Sequence, residues 1–395
     1  MQISDNLASS SSALEKEDKT SPIRRPDSGG TLAILKSTLR VNHFPVKFDP
    51  RSIIFHYNVA VKPKFSSKVG QPRKLSKTDL SMIKEKLFSD DPKKFPLDMT
   101  AHDGANNIFS AVQLPEETIT VEISEGEDEK ITTYSVTITL LNKLRLRKLM
   151  DYLCGHSFSL PRDILQGMDV VIKENPVRHT ISVGRYFYPT NPPLVMKELR
   201  PGIIAVGGFH HSLKPTSQGL SLCVDYSVVP FRKQMSVLDF LHERIDNFNL
   251  GEFEKFRKYV EEVLIGLKVS VTHRKSQQKY IIAGLTPTVT RYVTFPIDHT
   301  KGWKLENEVS LLSFFNDKYD KDIVYKDIPC LDLGKGNKKN FVPMEFCVLA
   351  EGQRYPKERL DGISAKTLTA MALAHPSERQ GAIQKMVQSR DGPCG

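Results

Sequence analysis

Tryptophan occurs once in the 395 residues, and the five cysteines (Cys154, Cys223, Cys330, Cys347, Cys394) are scattered, odd in number and never spaced as a CxxC pair. That pattern excludes a disulfide framework and a zinc site, and it fits a reducing compartment, cytoplasmic or nuclear. No window holds the roughly 18 consecutive apolar residues of a membrane span, and the N-terminal MQISDNLASSSSALEKEDKT has neither a basic n-region nor an apolar h-region. Membrane insertion and secretion are therefore not expected. No period of about 20 to 50 residues repeats itself, which excludes solenoids and propellers. The GKG of GKGNKK lacks the spacing of a phosphate-binding P-loop, so Lys335, Lys338 and Lys339 read as a solvated turn. Acidic residues gather only in turns such as Glu125 to Glu129 and Asp317 to Asp322, and metal-assisted hydrolysis needs several carboxylates converging on one cleft. No catalytic residue, metal or cofactor is expected.

What is present is a folded, basic chain. Hydrophobic residues make up 39% and charged residues 26%, with 56 Lys and Arg against 46 Asp and Glu for a net charge of +10. At roughly 150 residues per domain this length predicts two to three units. The mean hydropathy of -0.33 carries no lipid-facing character, and a pI near 9.2 favours polyanions such as nucleic acid as partners.

Residues 1–30 hold seven serines and no aromatic residue, too little apolar surface to offset the entropy of ordering, so a disordered tail is expected. Strand patterning starts at Thr31 and continues in IIFHYNVAVKP, where Phe55, Tyr57, Val59 and Val61 share one face. Ser76 offers an N-cap to an amphipathic helix carrying Leu80, Ile83 and Leu87 up to Asp91-Pro92. ETITVEISE and ITTYSVTITLL read as a long hairpin, ending the first domain near Leu141. LNKLRLRKLMDYL and PRDILQGMDVVIKENP read as helices, the second opened by Pro161.

Strand signals resume at GIIAVGGF and at GLSLCVDYSVVPF, where Leu220, Leu222, Val224, Tyr226 and Val228 alternate. The adjacent His210 and His211 face opposite sides of a strand, which argues against chelation. After the helices SVLDFLHERI and EFEKFRKYVEEVLIGL come short strands, GLKVSVTH, KYIIAGL and TVTRYVTFP, the signature of a small barrel. A helix, ENEVSLLSFFNDKY, interrupts before IPCLDLG and VPMEFCVL, and the last 45 residues read as helix again.

Residues 273–341 interleave His273, Lys279, Tyr280, Phe295, Phe314, Lys318, Tyr319 and Phe341 on short strands and one helix. A single-stranded nucleic-acid end requires this mixture, a flat apolar face for a base and cations or hydroxyl donors for phosphate. The ordinary reading of Phe314, Phe315 and Tyr319 is a buried helical stripe, and that of His273 a satisfied strand-end residue. Residues 263–350 carry a modest net charge of +4, and residues 31–115 a net +7 that suits either a duplex backbone or a solubilising surface.

The stretch LIGLKVSVTH…KYIIAGLTPTVTRYVTFP…LLSFFNDKYDKDIVYKDIPCLDLGKGNKKNFVPMEFCVLAEGQR, residues 264–354, resembles the PAZ domain of Argonaute proteins. GRYFYPTNPP and GGFHHSLKPTSQGLSLCVDYSVVPF resemble their first linker, VNHFPVKF with IIFHYNVAVKP the start of their N domain, and SERQGAIQKMVQSR the start of their second linker. The RRPDSGG and SLKPTSQGL wording is similar to the plant branch that includes the antiviral Argonaute 2 type.

The resemblance implies an α+β, multidomain fold. Its parts would be an N domain at 31–141 with an antiparallel sheet and helices, a sheet-bearing linker 1 at 142–235, a PAZ domain at 236–354 and a helical start of linker 2 at 355–395. The PAZ part would be a small OB/SH3-like β-barrel with an αβ insert. The chain stops at Gly395, before the MID and PIWI domains that anchor the guide's 5′ phosphate and cleave target RNA, so no slicing is expected of these residues.

PAZ domains hold the two-nucleotide 3′ overhang of small RNAs in an aromatic pocket. Phe295 matches the ring that stacks on the terminal base, while His273, Tyr280, Lys318 and Tyr319 match positions on the terminal phosphodiester and sugar, with Lys279 adding charge. Gln278 stands where an arginine commonly precedes the Lys-Tyr pair, and Phe314 where a tyrosine hydroxyl commonly meets phosphate. The loop from His273 to Tyr280 is one residue shorter than in animal relatives, leaving Arg274 or Lys275 to substitute. The implied partners are a small guide RNA (siRNA or miRNA), its duplex and silencing-complex proteins. The competing expectation is a truncated Argonaute acting as a protein-interaction module or decoy with weak RNA binding.

Overall fold

The computed structural model describes residues 40–64, 75, 77–125, 130–189, 196–275, 278–295, 308–334 and 339–393. The serine-rich tail, the strand signal at its first residues, the Ser76 cap, the acidic turn and Lys335 with Lys338 lie outside these residues. The chain divides into two units, one holding residues up to Val171 with Leu213–Leu222, the other Ile172–Ser212 with Cys223–Gly395.

In the first unit, β1 (His43–Pro45) leads to β2 (Ile53–Pro63), α1 (Lys77–Asp90), β3 (Thr100–His102), β4 (Asn107–Ser110), β5 (Thr118–Glu125) and β6 (Lys130–Arg145). The antiparallel sheet runs β3-β4-β2-β6-β5, and β5 and β6 form the expected hairpin, in register from Thr118↔Thr137 to Glu125↔Lys130. Tyr57 and Val59 of β2 meet Ile83 and Leu87 of α1 in one apolar cluster, as their spacings require.

The chain at Leu141–Arg145 is strand, not the start of a helix. Ile54 pairs with Leu144 and Phe55 with Lys143, and a bulge at His56/Tyr57 leaves Leu141 55% exposed. Leu144 and Leu146 then alternate inward, so a ladder partner outweighs a helical spacing that lacks one. Helices α2 (Arg147–Leu153) and α3 (Arg162–His179) follow, and α3 continues three residues past Pro176.

Beyond α3, whose last residues from Ile172 belong to the second unit, come β7 (Thr180–Val183), β8 (Tyr186–Pro189) and β9 (Met196–Arg200), which join the long strands β10 (Ile203–Thr216) and β11 (Gly219–Arg232), both of the second unit except at Leu213–Leu222. Burial along β11 alternates as its sequence does. His210 and His211 point apart, His210 edge-on to Tyr186 at 4.8 Å and His211 stacked on Phe187 at 5.6 Å. At Gly208 a Cβ would stand 2.3 Å from the Tyr188 ring and 2.4 Å from the Phe187 carbonyl oxygen. Because backbone cannot yield there, Gly208→Ala is expected to destabilise the second unit by about 3 kcal/mol, read as a lowered denaturation midpoint. An unchanged midpoint would show that the β8–β10 spacing is not fixed.

Next come α4 (Val237–Arg244), α5 (Phe253–Leu264), β12 (Lys268–Val271), β13 (Tyr280–Ile281), β14 (Gly284–Val289), β15 (Thr294–Phe295) and β16 (Val309–Ser310). Then follow α6 (Leu311–Tyr319), β17 (Pro329–Asp332), β18 (Phe341–Val342) and β19 (Cys347–Leu349). The strands form two three-stranded sheets, β13-β12-β19 and β14-β17-β18, rather than one closed barrel, with β15, β16 and α6 as the αβ insert. TVTRYVTFP is not one strand, because Thr290–Tyr292 makes a 3-10 turn that separates β14 from β15. One core of α4, α5, both sheets and α6 unites the region.

Helices α7 (Gly362–Ala372) and α8 (Pro376–Gln388) close the described chain, a mixed α+β architecture. Among the described residues no helix is long and apolar enough to cross a membrane.

Candidate nucleic-acid interface

Pairing of β15 with β16, Thr294↔Ser310 and Phe295↔Val309, delivers Phe295 to the start of α6. Ser310 caps that helix by accepting the Ser313 N–H at 3.1 Å, and Asp320 ends it in the left-handed region at φ 51°. The fixed helix separates its aromatics by side. Phe315 is 2% exposed and stacks flat on Phe346 at 5.3 Å, facing the core. Phe314 and Tyr319 stay half-buried, Phe314 standing edge-on to Phe295 at 5.0 Å and to Tyr319 at 5.7 Å. Three partly exposed rings therefore sit over a closed aromatic floor.

The second contribution comes from the end of β12. His273, 6% exposed, places its ring 4.6 Å from Tyr319 and 5.0 Å from Phe315, and among the described residues neither ring nitrogen has a hydrogen-bond partner. Burial first, then the charges of Arg274 and Lys318, push its pKa from 6.5 down to about 4. The imidazole is neutral at pH 7, able to donate from one nitrogen and accept at the other.

Because the folded pKa lies below the unfolded one, the unfolded chain takes up the proton first as pH falls. The resulting stability loss begins near 6.5 and is complete near 4. At pH 5 it amounts to about 2 kcal/mol relative to pH 8. Denaturation of the chain and of His273→Phe across that range should diverge by this amount, and parallel curves would contradict a buried neutral ring.

Tyr280, paired with Val269 of β12, is buried. Arg274 Nη2 donates to the Tyr280 hydroxyl at 2.6 Å, its guanidinium lies 5.8 Å over the Tyr280 ring, and the hydroxyl donates to Gln278 Oε1 at 2.9 Å. Lys318 Nζ lies 5.1 Å over Phe314 and 5.6 Å over Tyr319, with its chain exposed at the rim.

Six of the seven predicted residues thus form one constellation. Lys279 does not join it: its side chain is exposed, and among the described residues no hydrogen bond or ion pair ties it to the others. Phe341 sits on β18 against the core, away from these ring contacts. Two contributors lay beyond sequence reasoning. Phe346, within an apparent strand, is turned under the site by the 3-10 turn Met344–Phe346. Between the two cations offered by the loop, Arg274 is the one that reaches Tyr280. Among the described residues no three His, Cys, Asp or Glu side chains could hold a metal ion.

The PAZ domain family matches residues 238–369, the N-terminal domain of argonaute residues 36–172, and the Argonaute linker 1 domain residues 182–233. Protein argonaute 2 of Oryza sativa subsp. japonica is 36% identical over 389 residues, which is 97% of this chain and 35% of that protein. Protein argonaute 7 of Arabidopsis thaliana is 31% identical over 420 residues, 100% of this chain and 40% of that protein. The chain thus spans a third to two fifths of the length of these relatives. The solved structure of Kluyveromyces polysporus Argonaute with a guide RNA superposes with a TM-score of 0.56 at 18% identity over 86% of this chain and 38% of that one, a likeness of fold. Carrying in order an N-terminal domain, a linker 1 domain and a PAZ domain, this chain belongs to the Argonaute family.

Proposed function

We propose that the chain binds the 3′ end of a small RNA, the strand of an siRNA or miRNA with its two-nucleotide overhang, as a component of small-RNA-mediated silencing in the cytoplasm or nucleus. The likeness to plant Argonautes puts that role in a plant, and the reading extends to post-transcriptional, antiviral silencing. The observation that carries the reading is the half-buried trio Phe295, Phe314 and Tyr319 over the sealed Phe315–Phe346 floor, with cations along one side. A terminal base would stack on Phe295. The phosphodiester oxygens would take donors from Arg274 and Lys318, and from the Tyr280 hydroxyl once it releases Gln278 Oε1, while neutral His273, packed on Tyr319, would support that ring without repelling Arg274. These residues bind and orient; none is assigned a catalytic step.

The reading as an interaction module or decoy drew its strength from the donors missing at Gln278 and Phe314. Arg274 on the Tyr280 hydroxyl restores a guanidinium where Gln278 lacks one, which favours RNA binding. Arg274→Gln is expected to weaken overhang binding about tenfold or more and to flatten the slope of log affinity on log salt by about 0.7. Unaltered affinity and slope would remove Arg274 from the site. The reading itself is tested by photocrosslinking: a 3′-terminal 4-thiouridine strand should attach to the Thr294-Phe295 segment or to α6. Attachment confined to other segments would overturn it.

A further inference from the structure

The turn between α4 and α5 leaves a cleft whose residues take no part in the aromatic site. Asn247 adopts the left-handed region at φ 58°, which asparagine tolerates, and the chain reverses there after α4. Phe248 then packs edge-on to Phe253 at 6.0 Å and to Phe256 at 5.5 Å, so the spacing of the two helices is fixed by rings. The cleft between them measures about 310 Å³. Its floor is apolar, made of Ile245, Phe256 and Val263, each packed against the core of the unit. Tyr259 forms one wall and keeps 58% of its surface in solvent, a large ring left mostly uncovered.

Two carboxylates line the cleft, and they differ. The charge of Asp246 acts on Arg244, the cation at the same end. On α5, Glu254 and Glu261 are taken by Arg257 at 2.9 and 3.6 Å. Glu262 is exposed, and among the described residues no ion pair or hydrogen bond holds it. Lys258, one turn before it, neither pairs with it nor lines the cleft. Because α4 ends at Arg244, the negative pole of that helix also lies here.

On a chain of net charge +10 this cleft is a place that phosphate avoids, since Asp246 and Glu262 would face it. A cation is favoured instead. Apolar floor, open ring and free carboxylate together match an arginine: its methylenes lie on apolar surface, its plane stacks on an aromatic face, and its fork meets a carboxylate. A lysine ammonium holds its water more strongly and suits such a floor less well. The chain already uses the pairing internally, where Arg274 lies 5.8 Å over Tyr280.

We propose that the α4–α5 cleft is a protein-docking site that receives an arginine side chain from a segment of a partner protein, with the guanidinium stacked on Tyr259 and paired with Glu262. The site is independent of RNA binding by the chain.

The probe is the peptide Gly-Gly-Ser-Leu-Arg-Leu-Ser-Gly-Gly, compared with versions carrying lysine or glutamine at the centre, added to the full chain and followed by amide NMR. The arginine peptide should shift the resonances of residues 245–246 and 256–263 and bind roughly tenfold more tightly than the glutamine peptide, with lysine between them. Glu262→Gln should weaken the arginine peptide roughly fivefold and Tyr259→Ala roughly threefold, while Tyr259→Phe retains the stack. Both side chains are exposed, so the melting temperature should not move. Equal binding of the glutamine peptide would overturn the proposal, as would unchanged affinity in folded Glu262→Gln and Tyr259→Ala. A blunt RNA duplex that shifts the same resonances would also overturn it and make the cleft a nucleic-acid surface. Overhang binding should be the same in Glu262→Gln as in the unaltered chain, so the 3′-end reading and this one fail separately.

Discussion

Phe295→Ala is expected to lower the affinity of the chain for a duplex with two-nucleotide 3′ overhangs by roughly 5- to 150-fold, the span of a single lost base stack at about 1 to 3 kcal/mol. A blunt duplex should be held nearly as before. The size of the effect follows from the position of the ring. Phe295 lies on a two-residue strand pinned to Ser310 and Val309, so it is presented at the edge of Phe314 without having to be ordered on binding. Isothermal titration with the two duplexes reads both values. Equal losses for both would mean that Phe295 supports the fold rather than the ligand.

The second large effect is on stability. Phe315→Ala should destabilise the second unit by about 3 to 5 kcal/mol, because the ring is fully packed against Phe346 and under His273 and cannot be replaced by collapse of two short strands. For a unit of this size that corresponds to a fall in melting temperature of about 6 to 20 °C by calorimetry. Phe314→Ala, one residue earlier, removes a half-buried ring and should cost the fold far less while weakening overhang binding. If the two variants melted together, the division of α6 into a core side and a ligand side would be wrong.

That division shows where sequence reading succeeds and where it stops. Spacing along α6 identifies a buried stripe but cannot say which of Phe314, Phe315 and Tyr319 faces inward. The capped helix decides it, since Ser310 fixes the first turn and Asp320 the last. Period-two patterns sufficed for β2, β5 and β11, along which burial alternates. Helical spacing misled at Leu141–Arg145, where a strand partner distant in sequence overrides it.

Short strands were harder for the same reason. TVTRYVTFP and VPMEFCVL each contain a 3-10 turn that no periodicity announces, and the second of these turns is what carries Phe346 beneath the site. Proximity, by contrast, was legible: of the interleaved aromatics and cations, His273, Tyr280, Phe295, Phe314, Lys318 and Tyr319 come together, and Lys279 does not. The choice of Arg274 over Lys275 as the cation on Tyr280 depends on the path of a loop, which composition does not encode.

The most direct test of the account is the ratio of affinities of the chain for a 21-nucleotide duplex with two-nucleotide 3′ overhangs and for its blunt counterpart, measured at one salt concentration. An open trio of rings that stacks the terminal base predicts a preference for the overhang of about tenfold or more, abolished by Phe295→Ala. A ratio of one for the unaltered chain would contradict it.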